Sequence, residues 1–141
     1  MEHHRKLERM YAAAPINEYF EPRLTIGDGE AELRINVRED FHHSAGAMHG
    51  VIYFKALDDV TFFAANSIVE KVFVLTARFE IEFLRPVSVG EIHSIGRVVS
   101  QDEYRIEALG ELFDEGGHLV GRGTGWFAKS KMPLGPDVHY A

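Results

Sequence analysis

The chain has 141 residues, of which 45% are hydrophobic and 26% charged, and these proportions favour a folded domain over disorder. A formal net charge of -7 argues against general nucleic-acid binding, which needs a basic surface to displace counterions from phosphates. The absence of cysteine excludes disulfides and thiolate chemistry, and no apolar run approaches the roughly 18 residues of a membrane span. We therefore expect a single domain over residues 1–141, located in the cytoplasm and not attached to a membrane.

The first half of the sequence predicts a short helix, a strand pair and a long helix. Residues Glu2 to Ala14 are compatible with a helix, and Pro15 marks a break. Residues 20–37 predict two strands, because GDG supplies a turn between segments that alternate apolar and polar residues. Residues 48–68 predict a helix that is apolar on nearly all sides and must therefore be buried.

The second half predicts four antiparallel strands, which we expect to follow one another as a meander. The clearest strand, VFVLTARFEIEFL, has one face with Leu75, Ala77, Phe79, Ile81 and Phe83 and another with Thr76, Arg78, Glu80 and Glu82. In the last strand, Gly121, Gly123 and Gly125 leave one face bare, which favours close packing of a helix or another backbone. One sheet must then wrap one helix in an α+β architecture, whose outer face or edge is free to pair with another subunit.

The loop HHSAGAMHG, residues 42–50, places three histidines directly before the long helix. A metal site is one interpretation, but adjacent histidines point apart in most backbone conformations and the loop lacks the H-x3-H spacing of zinc sites. A solvated surface loop is the default for such a stretch alone. Gly50, however, would lie in the first helical turn, where free backbone N–H groups can hold an oxyanion or polarise a carbonyl. We therefore favour an active-site loop, with no metal and no bound cofactor.

An oxyanion site of this kind needs a carboxylate nearby to activate water or to attack directly, and Asp58 and Asp59 on the same helix are the candidates. Lys55 precedes Asp58 by three residues and Asp59 by four, so either could be its helix-surface ion pair. Spacing alone does not choose between the two carboxylates. An ordinary salt bridge is the alternative interpretation for both.

The segments GAMHGVIYFKALDD and TARFEIEFLRPVSVGE resemble the PaaI-like, HGG-motif branch of the hotdog-fold acyl-CoA thioesterases, and the resemblance covers residues 20–130. It implies a hotdog fold, in which an antiparallel sheet wraps around one long central helix. It also implies hydrolysis of an acyl- or aryl-CoA thioester to a free acid and coenzyme A, by a homodimer or a dimer of dimers. Because that family builds its sites between subunits, Asp58 should act on a thioester held partly by the other chain's Gly50 loop.

Residue by residue, the resemblance assigns roles to four positions. Asp58, and not Asp59, stands nine residues after His49, where the family places its acid. The resemblance implies that Asp58 is the general base or the nucleophile, that the Gly50 amide polarises the thioester carbonyl, and that His49 fixes the loop and the beginning of the helix. Thr76 stands where the family has a Ser or Thr that helps to position the attacking water.

Two positions depart from the family pattern. Val51 replaces the second glycine of the motif and adds bulk beside the acyl group, so we expect a narrower range of substrates. His43 replaces a frequent Asn and can still bond to water or a carbonyl. Arg78 and Arg85 are candidates to meet the phosphates of coenzyme A. Arg122, Lys129 and Lys131 are further basic groups of that kind. A non-catalytic protein that binds or senses acyl-CoA is the alternative function.

Overall fold

The computed structural model describes residues 1–141 and contains three α-helices and six β-strands. The helices are α1 (Glu2–Ala13), α2 (Pro15–Phe20) and α3 (Gly50–Asn66). The strands are β1 (Arg23–Gly27), β2 (Glu30–Asn36), β3 (Val72–Phe83), β4 (Glu91–Gln101), β5 (Arg105–Phe113) and β6 (Leu119–Pro133). None of the helices has the length and apolar character needed to cross a membrane.

The N-terminal helical segment is longer than the sequence predicted. α1 ends just before Pro15, as expected, but the proline then begins the second helix, α2. At the first position of a helix the missing N–H of proline would have had no partner, and its fixed φ already suits a helix. Pro15 therefore separates two helices, and the prediction of one N-terminal helix was incomplete.

The six strands form one antiparallel sheet in the order β1-β2-β4-β5-β6-β3. The prediction of a four-strand meander was wrong for β3, which pairs with β6 at the sheet edge and not with β4. The side-chain shapes give a reason. Phe79 of β3 lies opposite Gly125, and its ring occupies the space that side chains at Gly123 and Gly125 would need. The bare face of β6 therefore accepts β3 as its neighbour.

α3 crosses the sheet over a row of glycines. Gly96, Gly110 and Gly123 stand side by side in three neighbouring strands. A Cβ atom on Gly96 would lie 2.5 Å from the carbonyl oxygen of Val60, and one on Gly110 would lie 3.0 Å from the methyl group of Thr61. The backbone of the helix therefore rests directly on the sheet.

The bare face of β6 packs closely, as the sequence predicted. A Cβ atom on Gly121 would lie 3.3 Å from the Tyr53 ring and 3.7 Å from Leu57 in α3. The Phe79 ring covers Gly123, and the rings of Phe127 and Phe79 cover Gly125. The predicted burial of the long helix is also confirmed, since Leu57 and Val60 have no exposed surface.

A bulge in β3 changes the face on which Thr76 lies. Thr76 is opposite Phe127, whereas Arg78 is opposite the preceding residue, Trp126, so Ala77 is the extra residue. Because Phe127 is fully buried against α3, Thr76 faces the helix, while Arg78 stacks on Trp126 with 5.0 Å between the guanidinium carbon and the ring centroid. The predicted alternation, which placed Thr76 on the face of Arg78 and Leu75 on that of Phe79, was therefore wrong for both Thr76 and Leu75, since Leu75 is opposite Ala128.

Side chains of α1 bond to the backbone of one edge strand of the sheet, β1, whereas the other edge strand, β3, is largely open. At β1, Arg5 of α1 donates to the Ile26 carbonyl at 2.6 Å, and Glu8 of α1 accepts from the Ile26 N–H at 2.7 Å. At β3, which has 12 residues, Asn66 alone supplies side-chain hydrogen bonds to the backbone, accepting from the Val74 N–H at 3.0 Å and donating to the Val72 carbonyl at 3.1 Å. A long uncovered edge is a template for pairing with another strand.

Replacing Gly96 by alanine should destabilise the protein by about 1–3 kcal/mol, because the new methyl group would meet helix backbone that moves only if α3 shifts. Gly135→Ala is the matched control, since no atom lies within 4 Å of its Cβ position and its φ is -170°, and it should change stability by less than about 0.5 kcal/mol. Urea unfolding measures both variants. Equal unfolding midpoints would contradict the close contact.

Candidate functional site

α3 carries its two candidate reaction groups at separate places. Gly50 is the first residue of the helix and Asp58 follows eight residues later, an axial rise of about 12 Å. Gly50 lines a cavity of about 330 Å³, and Asp58 lines another of about 320 Å³ that shares no residue with the first. One carbonyl group therefore cannot contact both residues of the same chain.

At the beginning of α3, the Gly50 amide is free. The Nδ1 atom of His49 accepts a hydrogen bond from the Val51 N–H at 3.0 Å, so His49 caps the helix. The Ile52 N–H donates to the His49 carbonyl at 3.0 Å. The Gly50 N–H has no acceptor in the protein and, as a first-turn amide, points away from the helical ladder. It is available to a carbonyl oxygen.

The three histidines of the preceding loop do not converge on one point. The Nε2 atom of His42 bonds to the Ser88 carbonyl at 2.7 Å, while His49 caps α3. The Nδ1 atom of His43 accepts from the Ala45 N–H at 3.1 Å, which leaves the ring proton on Nε2. The histidines thus hold the loop in place, and only His43 also lines the Gly50 cavity.

Side chains after β3 complete the Gly50 cavity. The Phe83 ring is so close that a Cβ atom on Gly50 would lie 3.2 Å from it. The hydroxyl of Tyr53 donates to the Arg85 carbonyl at 2.7 Å and ties this segment to α3. Arg85 forms no ion pair and lines the cavity, whereas the Val51 side chain is exposed at the same helix end.

In the middle of α3, Asp58 is a partly buried carboxyl with one free oxygen. The hydroxyl of Thr76 donates to Oδ1 at 2.9 Å, and Oδ2 has no protein partner. Burial raises the pKa of Asp58 from 3.8 to about 6, against the lowering effect of the Thr76 hydrogen bond. The negative charge of Asp59 adds to the increase in this pKa, and Lys55 opposes it. Asp58 therefore becomes an ionised base close to neutral pH.

Asp59 is engaged in bonds that Asp58 lacks. Its Oδ2 atom accepts from Lys55 Nζ at 2.7 Å and from the hydroxyl of Tyr11 at 2.6 Å. Helix spacing allowed Lys55 to pair with either Asp58 or Asp59. The structure pairs it with Asp59, four positions later.

The cavity at Asp58 is largely apolar, and the N-terminal helices form one of its walls. Its apolar lining includes Met10 of α1, Ile16 of α2, Phe62 and Phe63 of α3, and Phe73 and Leu75 of β3. No sequence pattern predicted that α1 or α2 belongs to the site. The only signal was the spacing of Leu7, Met10 and Tyr11, which is typical of one buried helix face but does not say what it covers.

The basic residues proposed to meet phosphates are not gathered in one place. Arg78 pairs with Glu80 at 2.6 Å on the outer face of the sheet, and Arg122 pairs with Glu82 at 2.8 Å. Neither of these arginines lines the Gly50 or the Asp58 cavity, and Lys129 and Lys131 do not either. Arg85 alone lies beside the Gly50 loop.

Asp58→Asn should stabilise the protein at high pH. The pKa of Asp58 is higher in the folded chain than its ordinary value of 3.8, so folding disfavours the ionised form and stability falls as the pH rises from about 4 to 6. Asparagine cannot ionise and still accepts from Thr76. After allowance for solvent screening, we expect a gain of about 1–2 kcal/mol at pH 8 that shrinks toward zero at pH 4. Thermal unfolding at both pH values tests this, and an equally stable variant at pH 8 would contradict it.

Known proteins share both the sequence pattern and the fold. A protein of Saccharolobus solfataricus that is provisionally called an esterase is 27% identical over 105 residues, which cover 74% of this chain and 75% of that protein. The PaaI protein of the Escherichia coli phenylacetic acid degradation operon has a TM-score of 0.85 at 16% identity, covering 94% of this chain and 96% of that one. A conserved Pseudomonas aeruginosa protein has a TM-score of 0.79 at 25% identity, with 86% and 98% covered.

The family match includes the main elements of the site. A sequence model of the thioesterase superfamily matches residues 45–121, a segment that contains Gly50, Asp58 and Thr76. The six-stranded antiparallel sheet around one long helix is the architecture that the resemblance implied. The chain belongs to the thioesterase superfamily and has the hotdog fold.

Proposed function

We propose that this protein is an acyl-CoA thioesterase, a single domain that hydrolyses an acyl- or aryl-CoA to a free acid and coenzyme A. The observation that carries the proposal is Asp58. A carboxyl group with one free oxygen, a raised pKa of about 6 and an apolar cavity beside it is suited to accept a proton from water near neutral pH.

The reaction needs a base and an oxyanion site. Ionised Asp58 takes a proton from water, and the resulting hydroxide attacks the thioester carbonyl carbon, or the carboxylate attacks directly as a nucleophile. The Gly50 N–H stabilises the negative charge that develops on the carbonyl oxygen. The C–S bond then breaks, and the thiolate of coenzyme A leaves and takes up a proton. In the nucleophilic route this step leaves an anhydride between the acyl group and Asp58, which water then hydrolyses to the free acid and the Asp58 carboxylate. Thr76 donates to Oδ1 of Asp58, and Oδ2 is the oxygen that takes the proton or attacks.

Two subunits build each site in this proposal. Gly50 and Asp58 of one chain are too far apart for one carbonyl, and the open β3 edge offers a surface for a second copy. Phe83 at one end of β3 lies beside Gly50, and Thr76 near the other end contacts Asp58. Antiparallel pairing of two β3 strands about a twofold axis sets Asp58 against the partner's Gly50. We therefore propose a homodimer or a dimer of dimers.

The acyl group occupies the cavity at Asp58, between α1, α2 and β3. A cavity of about 320 Å³ with a wall of phenylalanines suits a short or aromatic acyl group. In the Gly50 cavity, the Nε2–H of His43 is a second donor for the thioester carbonyl or for water. Arg85 lines the same cavity and is the candidate partner for a phosphate of coenzyme A.

One observation favours a protein that binds acyl-CoA without hydrolysing it. Val51 is 56% exposed and stands directly after the Gly50 amide, where its branched side chain adds bulk that a second glycine would not. In the hydrolytic proposal this bulk narrows the range of acyl groups.

Thiol release from a panel of short, long and aromatic acyl-CoAs tests the function. The chain has no cysteine, so the protein adds no thiol background. Asp58→Asn should lower the rate on the best substrate by about 10²–10⁴-fold, because it removes the base. Asp59→Asn is the matched control and should keep turnover at pH 8 within about tenfold of wild type. Binding of acyl-CoA without thiol release would contradict hydrolysis and favour the binding function.

The role of the Gly50 amide can be tested with two substitutions that both add a Cβ atom beside Phe83. Proline removes the N–H at this first helical position without breaking a helical hydrogen bond, and His49 has a ψ of 145°, which suits a residue before proline. Alanine adds a Cβ atom next to Phe83 but keeps the N–H. We expect Gly50→Pro to have a kcat about 10²–10³-fold below that of Gly50→Ala. Equal rates in the two variants would show that this amide does not hold the carbonyl.

A further inference from the structure

Beside Asp58 lies a buried group of three residues that the proposed reaction does not use. Lys55 and Asp59 face each other across one turn of α3, with side chains only 11% and 17% exposed. Tyr11 reaches them from α1 and is 5% exposed. Both donors bond to the same oxygen of Asp59, and all three residues line the cavity that contains Asp58.

Stability alone is a weak reason for such an arrangement. The desolvation of a buried ion pair offsets much of its attraction, and apolar residues of similar volume often stabilise a fold equally well or better. Lys55 also lies 5.0 Å from the ring centroid of Phe20 and 5.4 Å from that of Tyr11, so its surroundings are mostly apolar. In such surroundings charges act strongly on a neighbouring carboxyl.

Asp58 is the neighbour on which these charges act. The titratable groups that line its cavity are Tyr11 from α1 and Lys55 and Asp59 from α3. β3 contributes the hydroxyl of Thr76, and α2 contributes no titratable side chain.

We propose that Lys55 and Asp59, held together by Tyr11, are positioning residues that balance the charge around Asp58 and so set the pH range in which it acts as a base. This inference rests on the proposed function. None of the three residues contacts the reacting atoms. They act through Asp58.

The two charges have opposite effects on Asp58. The carboxylate of Asp59 raises the pKa of Asp58, and the ammonium group of Lys55 lowers it. Burial and the nearby Asp59 raise the pKa of Tyr11, so its hydroxyl stays protonated and keeps donating to Asp59. Together the pair adds little net charge, and burial remains the main cause of the raised pKa of Asp58.

Single substitutions should therefore move the titration of Asp58 in opposite directions. Asp59→Asn leaves the Lys55 charge uncompensated and should move the acid limb of kcat/KM to lower pH. Lys55→Met keeps the aliphatic stem, leaves two adjacent carboxylates and should move the limb to higher pH. At pH 5, relative to each enzyme's own plateau, we expect Asp59→Asn to be about two- to fivefold more active than wild type and Lys55→Met to be less active by a similar factor.

A second readout does not depend on turnover. The carboxyl carbon of Asp58, followed by NMR in protein with ¹³C-labelled aspartate and assigned by its loss in Asp58→Asn, should titrate with the same opposite shifts. Lys55→Arg keeps the charge and should titrate close to wild type. The double variant Lys55→Met/Asp59→Asn leaves no unpaired buried charge, should fold, and should titrate between the single variants.

The outcomes separate this inference from the proposed function. Opposite shifts of the Asp58 signal support the balance of charges, even if no thioester is hydrolysed and the proposed function fails. Wild-type titration of Asp58 in both single variants, with thioester hydrolysis intact, would overturn the inference and leave the group a purely structural one.

Discussion

The direct contact between the backbone of α3 and the row of glycines in the sheet is the constraint on which the rest of the molecule depends. With Gly96 against the Val60 carbonyl, the helix cannot slide along the sheet without meeting side chains, and rising from the sheet would leave an unfilled gap. The position of the helix fixes where each candidate reaction group lies. Gly50 comes to the Phe83 end of β3, and Asp58 comes to Thr76 near the other end.

Much of the fold could be predicted from the sequence because its patterns are local. The apolar helix and the alternating strands follow from periodicity, and the bare face of β6 follows from three glycines at every second position. The neighbour of β3 could not be predicted in this way, because strand order is decided by distant residues such as Phe79, whose ring fills that bare face. The bulge at Ala77 could not be predicted for a similar reason. An extra residue leaves the alternation of apolar and polar residues unbroken, so it appears only in the pairing with β6.

The same division applies to the candidate site. The position of Gly50 at the beginning of a helix could be inferred from the sequence, and so could the two candidate carboxylates. Helix spacing could not assign Lys55 to one of them, because both distances are compatible with an ion pair. In the structure Lys55 pairs with Asp59, and Tyr11 of α1 donates to the same Asp59 oxygen. Long-range contacts of this kind have no sequence signature.

The apolar environment of Asp58 affects both the stability of the fold and the basicity of this carboxylate. The apolar wall from α1, α2 and β3 disfavours its negative charge, which weakens the fold as the pH rises from about 4 to 6 and makes the carboxylate a better acceptor of protons. Lys55 and Asp59 bring opposite charges to the same cavity without neutralising Asp58 itself. The N-terminal helices are therefore part of the site, and not only a cover for the edge strand β1.

The central claim is that each site needs Asp58 from one subunit and Gly50 from the other. The most direct test is thiol release by mixed dimers, formed by co-expressing Asp58→Asn with Gly50→Pro under two affinity tags and purified through both. Each mixed dimer has one site with an intact base and an intact amide, so it should recover roughly half the wild-type activity although both parents are nearly inactive. Mixed dimers that are no more active than the parents would contradict the claim.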